Sequence, residues 1–143
     1  MRIRPLIGVL ITAWVGSLWT VCGLVAPTLF AVVEDRATAG RIAGVFFRRE
    51  AWIGLGLGVA VAAVAWLSRH ARMTGRGLTL VAVTALLPVG SQLILSPLMQ
   101  GAREAGDMAR FGMLHGIAGG CFVLACLSGL GLVLQFSRAG RGA

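Results

Sequence analysis

Charge is what this sequence lacks over most of its length. Thirteen arginines and five acidic residues are spread through 143 residues, yet four long stretches contain none of them. These stretches cover residues 6–33, 51–67, 78–98 and 112–136. A helix needs about 20 apolar residues to cross a hydrocarbon core of about 30 Å, and each stretch meets or approaches that length. We therefore predict an all-α, polytopic membrane protein built as a bundle of four transmembrane helices.

Little sequence is left outside these stretches. Loops of about ten to seventeen residues cannot hold a soluble domain, so residues 1–143 are expected to form a single membrane domain. The net charge of +8 comes from arginines near the predicted helix ends, where lipid headgroups account for them. We expect the lipid bilayer to be the partner of this charge, and we expect no binding to nucleic acid.

Residues that carry chemistry are also scarce. Cys22, Cys121 and Cys126 fall within apolar stretches without the spacing of metal ligands, which predicts buried packing thiols. No charged residue falls within a predicted span, which argues against a proton relay or a cation-coupled transporter. No Ser-His-acid arrangement, phosphate-binding glycine loop or zinc cluster is present. We expect no catalytic residues, no cofactor, no bound metal and no enzymatic activity.

The arginines are divided almost evenly between the two sides of the predicted bundle. One side carries Arg2, Arg4, Arg69, Arg72, Arg76, Arg138 and Arg141, and the other carries Arg36, Arg41, Arg48, Arg49, Arg103 and Arg110. All five acidic residues lie on the second side. The positive-inside rule favours the first side as cytoplasmic. We predict a bacterial inner-membrane protein with both termini in the cytoplasm.

The segment before the second stretch is amphipathic. Ile42, Val45 and Phe46 share one helical face between residues 38 and 49, beside arginines that can reach headgroups. We predict a short interfacial helix before helix two, and the alternative is a continuous extension of helix two.

Small residues at four-residue spacing indicate where helices approach closely. Helix association in lipid depends on such contacts, since the usual hydrophobic drive is absent. The predicted packing seams are Gly54, Gly58 and Ala62 on helix two, Gly112, Gly116 and Gly120 on helix four, and Gly40 and Gly44 in the amphipathic segment.

Helix three contains two prolines, which predict local disruption. Pro88 and Pro97 each remove a backbone donor, while Gln92 needs a partner inside the bundle. A kink closed by side-chain hydrogen bonds and a small polar ligand cavity are both open interpretations. Residues 24–29 also resemble residues 93–98, and each segment precedes a polar loop. This weak similarity leaves open whether a two-helix unit has been duplicated.

Apart from the three cysteines, His115 is the one titratable residue within a predicted span, one turn after Phe111. It can serve as a structural hydrogen-bonding group, a ligand contact, or a metal or haem ligand. Met99, Met108 and Met113 are the soft side chains available for copper(I). The only other histidine, His70, lies in the opposite loop, so no second haem ligand is evident.

Three segments occur in an order typical of a known family: GLVAPTLF at residues 23–30, AGRIAGVF at residues 39–46 and FGMLHG at residues 111–116. They resemble a bacterial four-helix membrane family of unknown function, which is similar to a small eukaryotic transmembrane protein associated with cisplatin resistance. A more distant likeness is to the membrane domain of copper-resistance proteins. The resemblance implies an inner-membrane protein without an established activity. Together with Gln92, the motifs give these candidate ligand-binding residues: Pro27, Phe30, Gly40, Gly44, Phe46, Gln92, Phe111 and His115.

Three hypotheses of function follow. In the first, the protein is a small binding or transport-accessory protein that can self-associate, and the candidate residues line a pocket on the face opposite the termini. In the second, it is a structural or assembly subunit of a membrane complex, and the same residues only pack helices. In the third, it carries copper or haem through His115.

Overall fold

The computed structural model describes residues 3–67 and 73–141, and the side chains of residues 4–67 and 73–138. His70 and four of the arginines counted above, Arg2, Arg69, Arg72 and the side chain of Arg141, lie outside this description. The described chain is helical and forms no strand. Helix one comprises Ile3–Thr20, a π-helical turn at Val21–Val25, and Ala26–Val32. Helix two is Arg36–Leu67. Helix three comprises Gly75–Gly90, a π-helical turn at Ser91–Leu95, and Ser96–Glu104. Helix four is Met108–Arg141.

All four helices are long and apolar enough to cross a membrane. The prediction of an all-α, four-helix bundle is therefore confirmed. Helix one packs against helices two and four, and helix three also packs against helices two and four. The helices therefore form an antiparallel ring in sequence order. We call the side with the loops after helices one and three the Asp35 side, and the side with the start of helix three and the end of helix four the Arg76 side.

Short polar caps end the helices on the Asp35 side. The Asp35 carboxylate accepts hydrogen bonds from the backbone N–H groups of Ala37 and Thr38, at 3.1 and 3.0 Å, and from the Thr38 hydroxyl. These bonds, the hydroxyl bond foremost, hold the pKa of Asp35 below its usual range. Asp107 Oδ1 accepts from the backbone N–H of Arg110 at 2.9 Å. Gly106 has φ +72°, which suits glycine and turns the chain between helices three and four.

The centre of the bundle is organised around Trp14, which is 1% exposed. A Cβ atom at Gly54 would lie 2.7 Å from Trp14 Nε1, and a Cβ atom at Gly58 would lie 3.1 Å from Trp14 Cη2. The two glycines thus make the groove in helix two that receives the indole ring. The predicted small-residue seam on helix two is confirmed at these positions. The surrounding apolar cluster comprises Ile7, Ile11, Val15, Val61, Val81, Ala85 and Leu132.

The predicted seam on helix four is wrong. Gly112, Gly116 and Gly120 face outward, and a Cβ atom at any of them would meet nothing within 4 Å. Gly129 makes the close contact instead, because its Cβ position lies 3.0 Å from Val15 Cγ2. Four-residue spacing marks a helical face but does not say whether a neighbouring helix covers it.

The predicted interfacial helix before helix two is not a separate element. Residues 36–67 form one uninterrupted helix, so the alternative, a continuous extension, describes the structure. No proline interrupts this segment, and buried Ala39 and Ala43 continue the inward face of the later turns. Arg48 and Arg49 stay exposed and do not end the helix.

The two halves of the bundle share an unusual backbone feature. In each π-helical turn a backbone N–H donates five residues back, from Ala26 to Val21 and from Ser96 to Ser91. Pro27 and Pro97 follow at the same distance. A proline ring clashes with the carbonyl four residues earlier, and a widened turn relieves that clash. The repeated π turn and proline support duplication of a two-helix unit.

Candidate functional site

Helix two carries a buried carboxylate near its middle. Glu50 lies 14 residues after Arg36, about 21 Å along the helix axis, and is 5% exposed. The helix that contains it has an apolar window long enough to span a membrane. Glu50 immediately precedes the span predicted at residues 51–67, and it is buried within the same uninterrupted helix. The prediction ended the span at the charged residues 48–50, whereas two of these turn outward and Glu50 turns into the bundle.

Ser17 on helix one is the hydrogen-bonding partner of Glu50. Its hydroxyl lies 2.9 Å from Glu50 Oε1 and 2.8 Å from the backbone carbonyl of Trp14. A serine hydroxyl has one hydrogen and can also accept. With Glu50 ionised, Ser17 donates to the carboxylate. With Glu50 protonated, the acid can donate to Ser17, and Ser17 donates to the Trp14 carbonyl. Both protonation states of Glu50 therefore find partners without movement of a helix.

Two thiols lie next to this pair. The Cys22 thiol on helix one packs beside Cys126 on helix four, and both thiols lie near Glu50. Cys126 also packs with Leu18 and Phe122. The prediction that these cysteines are packing thiols covers only part of their environment. We call Ser17, Cys22, Glu50 and Cys126 the Glu50 cluster.

The local backbone explains how the cluster is assembled. Cys22 is the second residue of the π turn in helix one, and π turns are frequent at functional sites. Trp19 Nε1 donates to the backbone carbonyl of Cys126 at 3.2 Å, which fixes helix four against helix one at this level. The cluster thus joins helices one, two and four.

Gln92 occupies the corresponding position in the π turn of helix three. Its Oε1 accepts from the hydroxyl of Ser96 at 3.2 Å, within the same helix. Nearby Ser91 Oγ and, further along, Thr84 Oγ1 are buried and form no hydrogen bond among the described residues. Pro88 lies inside a continuous helical segment. The prediction that Gln92 contacts a ligand stays a prediction.

The other candidate residues lie towards the Asp35 side. Phe30 contacts Gly40, whose Cβ position would be 3.9 Å from Phe30 Cζ, while Gly44 faces open space. Phe30 and Phe46 are each 43% exposed, and Pro27 is exposed. These positions lie on the outside of helices one and two. Their role as ligand contacts stays a prediction.

His115 lies on the outer face of helix four. Its ring stacks on Phe111 with centroids 5.8 Å apart and planes inclined by 13°. The Phe111 ring also contacts Arg103, whose guanidinium carbon lies 4.8 Å from the ring centroid. Within residues 3–67 and 73–141, no group of three or more His, Cys, Asp or Glu side chains is arranged to hold a metal ion. The use of His115 as a copper or haem ligand stays a prediction.

Sequence reasoning missed the Glu50 cluster because its members are far apart in the chain. Glu50 and Ser17 are separated by 33 positions. One signal was available: position 50 falls on the same helical face as Gly54 and Gly58, which the sequence identified as a packing seam. An acidic residue on a packing face is buried if the helix continues through it.

Comparison with known families places this geometry in context. The sequence model of a family described as a domain of unknown function, DUF4149, matches residues 9–107. The chain belongs to the DUF4149 family. The match includes Ser17, Cys22 and Glu50 and stops before Cys126. No curated protein and no solved structure matches this chain. Membership of DUF4149 agrees with the predicted family of unknown function, and the likeness to cisplatin-resistance and copper-resistance proteins stays a prediction.

Proposed function

We propose that the protein is a small binding or transport-accessory protein of the bacterial inner membrane, with both termini cytoplasmic, and that its central chemistry is proton binding at Glu50. The observation that carries this proposal is the burial of a carboxylate inside a membrane-spanning helix. An ionisable group in such a place is costly, and it faces the bundle interior when it serves a function.

The surroundings of Glu50 suit reversible protonation. Ser17 supplies a hydroxyl that can donate or accept, so neither form of the carboxyl leaves Ser17 without a partner. The thiols of Cys22 and Cys126 also lie near Glu50. The guanidinium groups of Arg48 and Arg49 are exposed on the outer face of helix two. Proton uptake at Glu50 removes a buried charge and is the change that a bound molecule or partner subunit would sense.

Infrared spectroscopy of the protein reconstituted in lipid films tests this proposal. We expect a carbonyl band of a buried carboxylic acid that disappears as pH is raised. The band should be absent from the Glu50→Gln variant and present in the Glu104→Gln control, because Glu104 is exposed at the end of helix three and accepts a hydrogen bond from Gln100. A band that persists in Glu50→Gln, or no titrating band in the unaltered protein, would contradict proton binding at Glu50.

Assembly with a second copy is the other candidate function, and the outward glycine face of helix four favours it. Gly112, Gly116 and Gly120 leave a smooth strip on which a second helix can approach closely. Gly116→Leu should then reduce dimer formation in liposomes, counted by single-molecule photobleaching, without lowering the stability of the monomer. Gly56→Leu is the control, since Gly56 also faces open space but lies on helix two. Equal dimer content in all three proteins would remove this candidate.

A further inference from the structure

A groove opens between helices three and four on the Arg76 side. It has a volume of about 590 Å³, and Leu80, Gly131 and Leu134 form its apolar walls. Arg76 and Arg138 also line the groove. Both arginines are exposed.

The polar and apolar parts of the groove lie at different depths. Arg76 is the second residue of helix three, and Arg138 is close to the end of helix four. Leu80 lies one turn deeper than Arg76, and Gly131 lies about 10 Å deeper than Arg138 along helix four. The groove therefore passes from a cationic mouth at the helix ends to an apolar channel within the membrane-spanning part of the bundle.

No carboxylate side chain is available to neutralise this mouth. Glu34, Asp35, Glu104 and Asp107 lie on the Asp35 side, and Glu50 is buried in the middle of helix two. Two arginines near each other without an acidic side chain are complementary to an anion, and guanidinium groups bind phosphate oxygens well.

Hydrogen bonds between helices three and four hold the walls of the groove together. Gln135 Nε2 donates to Thr74 Oγ1, and Thr74 Oγ1 also accepts from the backbone N–H of Gly77 at the start of helix three. Deeper in the bundle, Ser128 Oγ donates to the Leu80 carbonyl at 3.2 Å. Helices three and four are thus tied together at both ends of the groove. Gly131 keeps its floor open, because a side chain there would project beside Leu80.

We propose that this groove binds one anionic glycerophospholipid. Arg76 and Arg138 hold the phosphate, and one acyl chain lies along Leu80, Gly131 and Leu134. Basic pockets between transmembrane helices at the headgroup level bind anionic lipids by this combination of charge and apolar contact. The groove lies at the Arg76 side of helices three and four, away from the Glu50 cluster. The proposal of lipid binding therefore does not depend on proton binding at Glu50.

Native mass spectrometry of the detergent-solubilised protein tests the proposal, with phosphatidylglycerol and phosphatidylcholine added in equal amounts. We expect one retained phosphatidylglycerol per chain. The double variant Arg76→Gln/Arg138→Gln should bind it about 30-fold more weakly, the loss expected for two basic groups at the headgroup level. The double variant Arg36→Gln/Arg110→Gln changes net charge equally on the Asp35 side and should bind it as the unaltered protein does.

A second variant keeps both arginines and fills the groove. Gly131→Leu should also lose phosphatidylglycerol, whereas Gly56→Leu on the outer face of helix two should retain it. Inorganic phosphate, added without lipid, should leave the thermal stability unchanged because it lacks the acyl chain. The proposal is overturned if both arginine pairs affect binding equally or if Gly131→Leu binds lipid normally. It is also overturned if phosphate alone stabilises the protein as the lipid does, or if phosphatidylcholine binds as well as phosphatidylglycerol.

Discussion

The two halves of this bundle have similar backbones but different interiors. Helices one and two, and helices three and four, each form a hairpin whose first helix contains a π turn followed by a proline. In the first hairpin Trp14 fills the groove at Gly54 and Gly58. In the second hairpin the much smaller Thr84 lies beside Gly129, 3.5 Å from its Cβ position.

The two hairpins also contribute different numbers of polar side chains to the Glu50 cluster. The first hairpin supplies Ser17, Cys22 and Glu50, three members of the Glu50 cluster, and the second supplies Cys126. The second hairpin instead contains buried hydroxyls at Thr84 and Ser91 that have no hydrogen-bonding partner among the described residues. The two hairpins therefore share a backbone shape, while their buried polar side chains differ. Predictions that compare matched positions in the two hairpins test this view.

Truncation of the central side chains should give the largest contrast. Trp14→Ala leaves a cavity at the centre of the bundle and should cost about 3–5 kcal/mol of unfolding free energy. Thr84→Ala, at the matching position, removes only a small side chain and should cost much less. Unfolding in mixed micelles measures both. The Trp66→Ala control should change little, because Trp66 is 86% exposed. A similar loss in Trp14→Ala and Trp66→Ala would contradict the central role of Trp14.

Added volume in the glycine seams should have the next largest effect. Gly58→Leu forces a side chain against Trp14 and Ala85 and should cost about 1–3 kcal/mol or more. Gly116→Leu should leave the unfolding free energy of the monomer unchanged, because no atom lies within 4 Å of its Cβ position. The same unfolding measurement distinguishes them. Equal destabilisation of the two variants would mean that helix four packs through Gly116 after all.

Removal of one hydroxyl from each hairpin sharpens the comparison. Ser17→Ala deprives the buried Glu50 of its hydrogen-bonding partner and should cost about 1–3 kcal/mol. Thr84→Val keeps the shape and removes an unpartnered hydroxyl, so it should be neutral or stabilising. Unfolding curves at one fixed pH measure the difference. A larger loss in Thr84→Val than in Ser17→Ala would show that the hydrogen-bonding assignment is wrong.

The caps on the Asp35 side should give the smallest contrast. The folded pKa of Asp35 is lowered by its hydrogen bonds, so ionised Asp35 stabilises the folded state above its unfolded pKa. That contribution is lost as pH falls through the lowered folded value. Asp35→Ala should therefore reduce the melting temperature slightly at neutral pH and have no effect once the carboxyl is protonated. Asp107→Ala, which removes one described backbone bond, is the matched control. If the melting temperatures of Asp35→Ala and the unaltered protein move further apart as pH is lowered, the capping role of Asp35 is refuted.

The sequence was sufficient to predict the four helices and the central glycine seam, because both depend on local composition and spacing. Charge-free length located each span, and Gly54 and Gly58 lie where a seam was predicted. The extent of helix two was left open between a separate interfacial helix and a continuous extension, since charged residues were taken as the boundary of the span. Arginine side chains are long enough to reach polar surroundings while their backbone remains helical.

The functional cluster was harder to predict for a different physical reason. The burial of Glu50 depends on Ser17 and on the thiols of two other helices, and no local pattern encodes those contacts. The orientation of the helix-four glycines likewise depends on which neighbouring helix covers them. Sequence periodicity defines faces, whereas burial is decided by tertiary packing.

Accessibility of position 50 tests the central claim most directly. In a background without Cys22, Cys121 and Cys126, single cysteines at Glu50 and Glu34 can be exposed to a membrane-impermeant maleimide on each side of sealed vesicles. We expect Glu34→Cys, which is exposed at the end of helix one, to react from one side, and Glu50→Cys to remain unlabelled from both sides until the protein is unfolded. Equal labelling at the two positions would contradict a carboxylate buried within a membrane bundle.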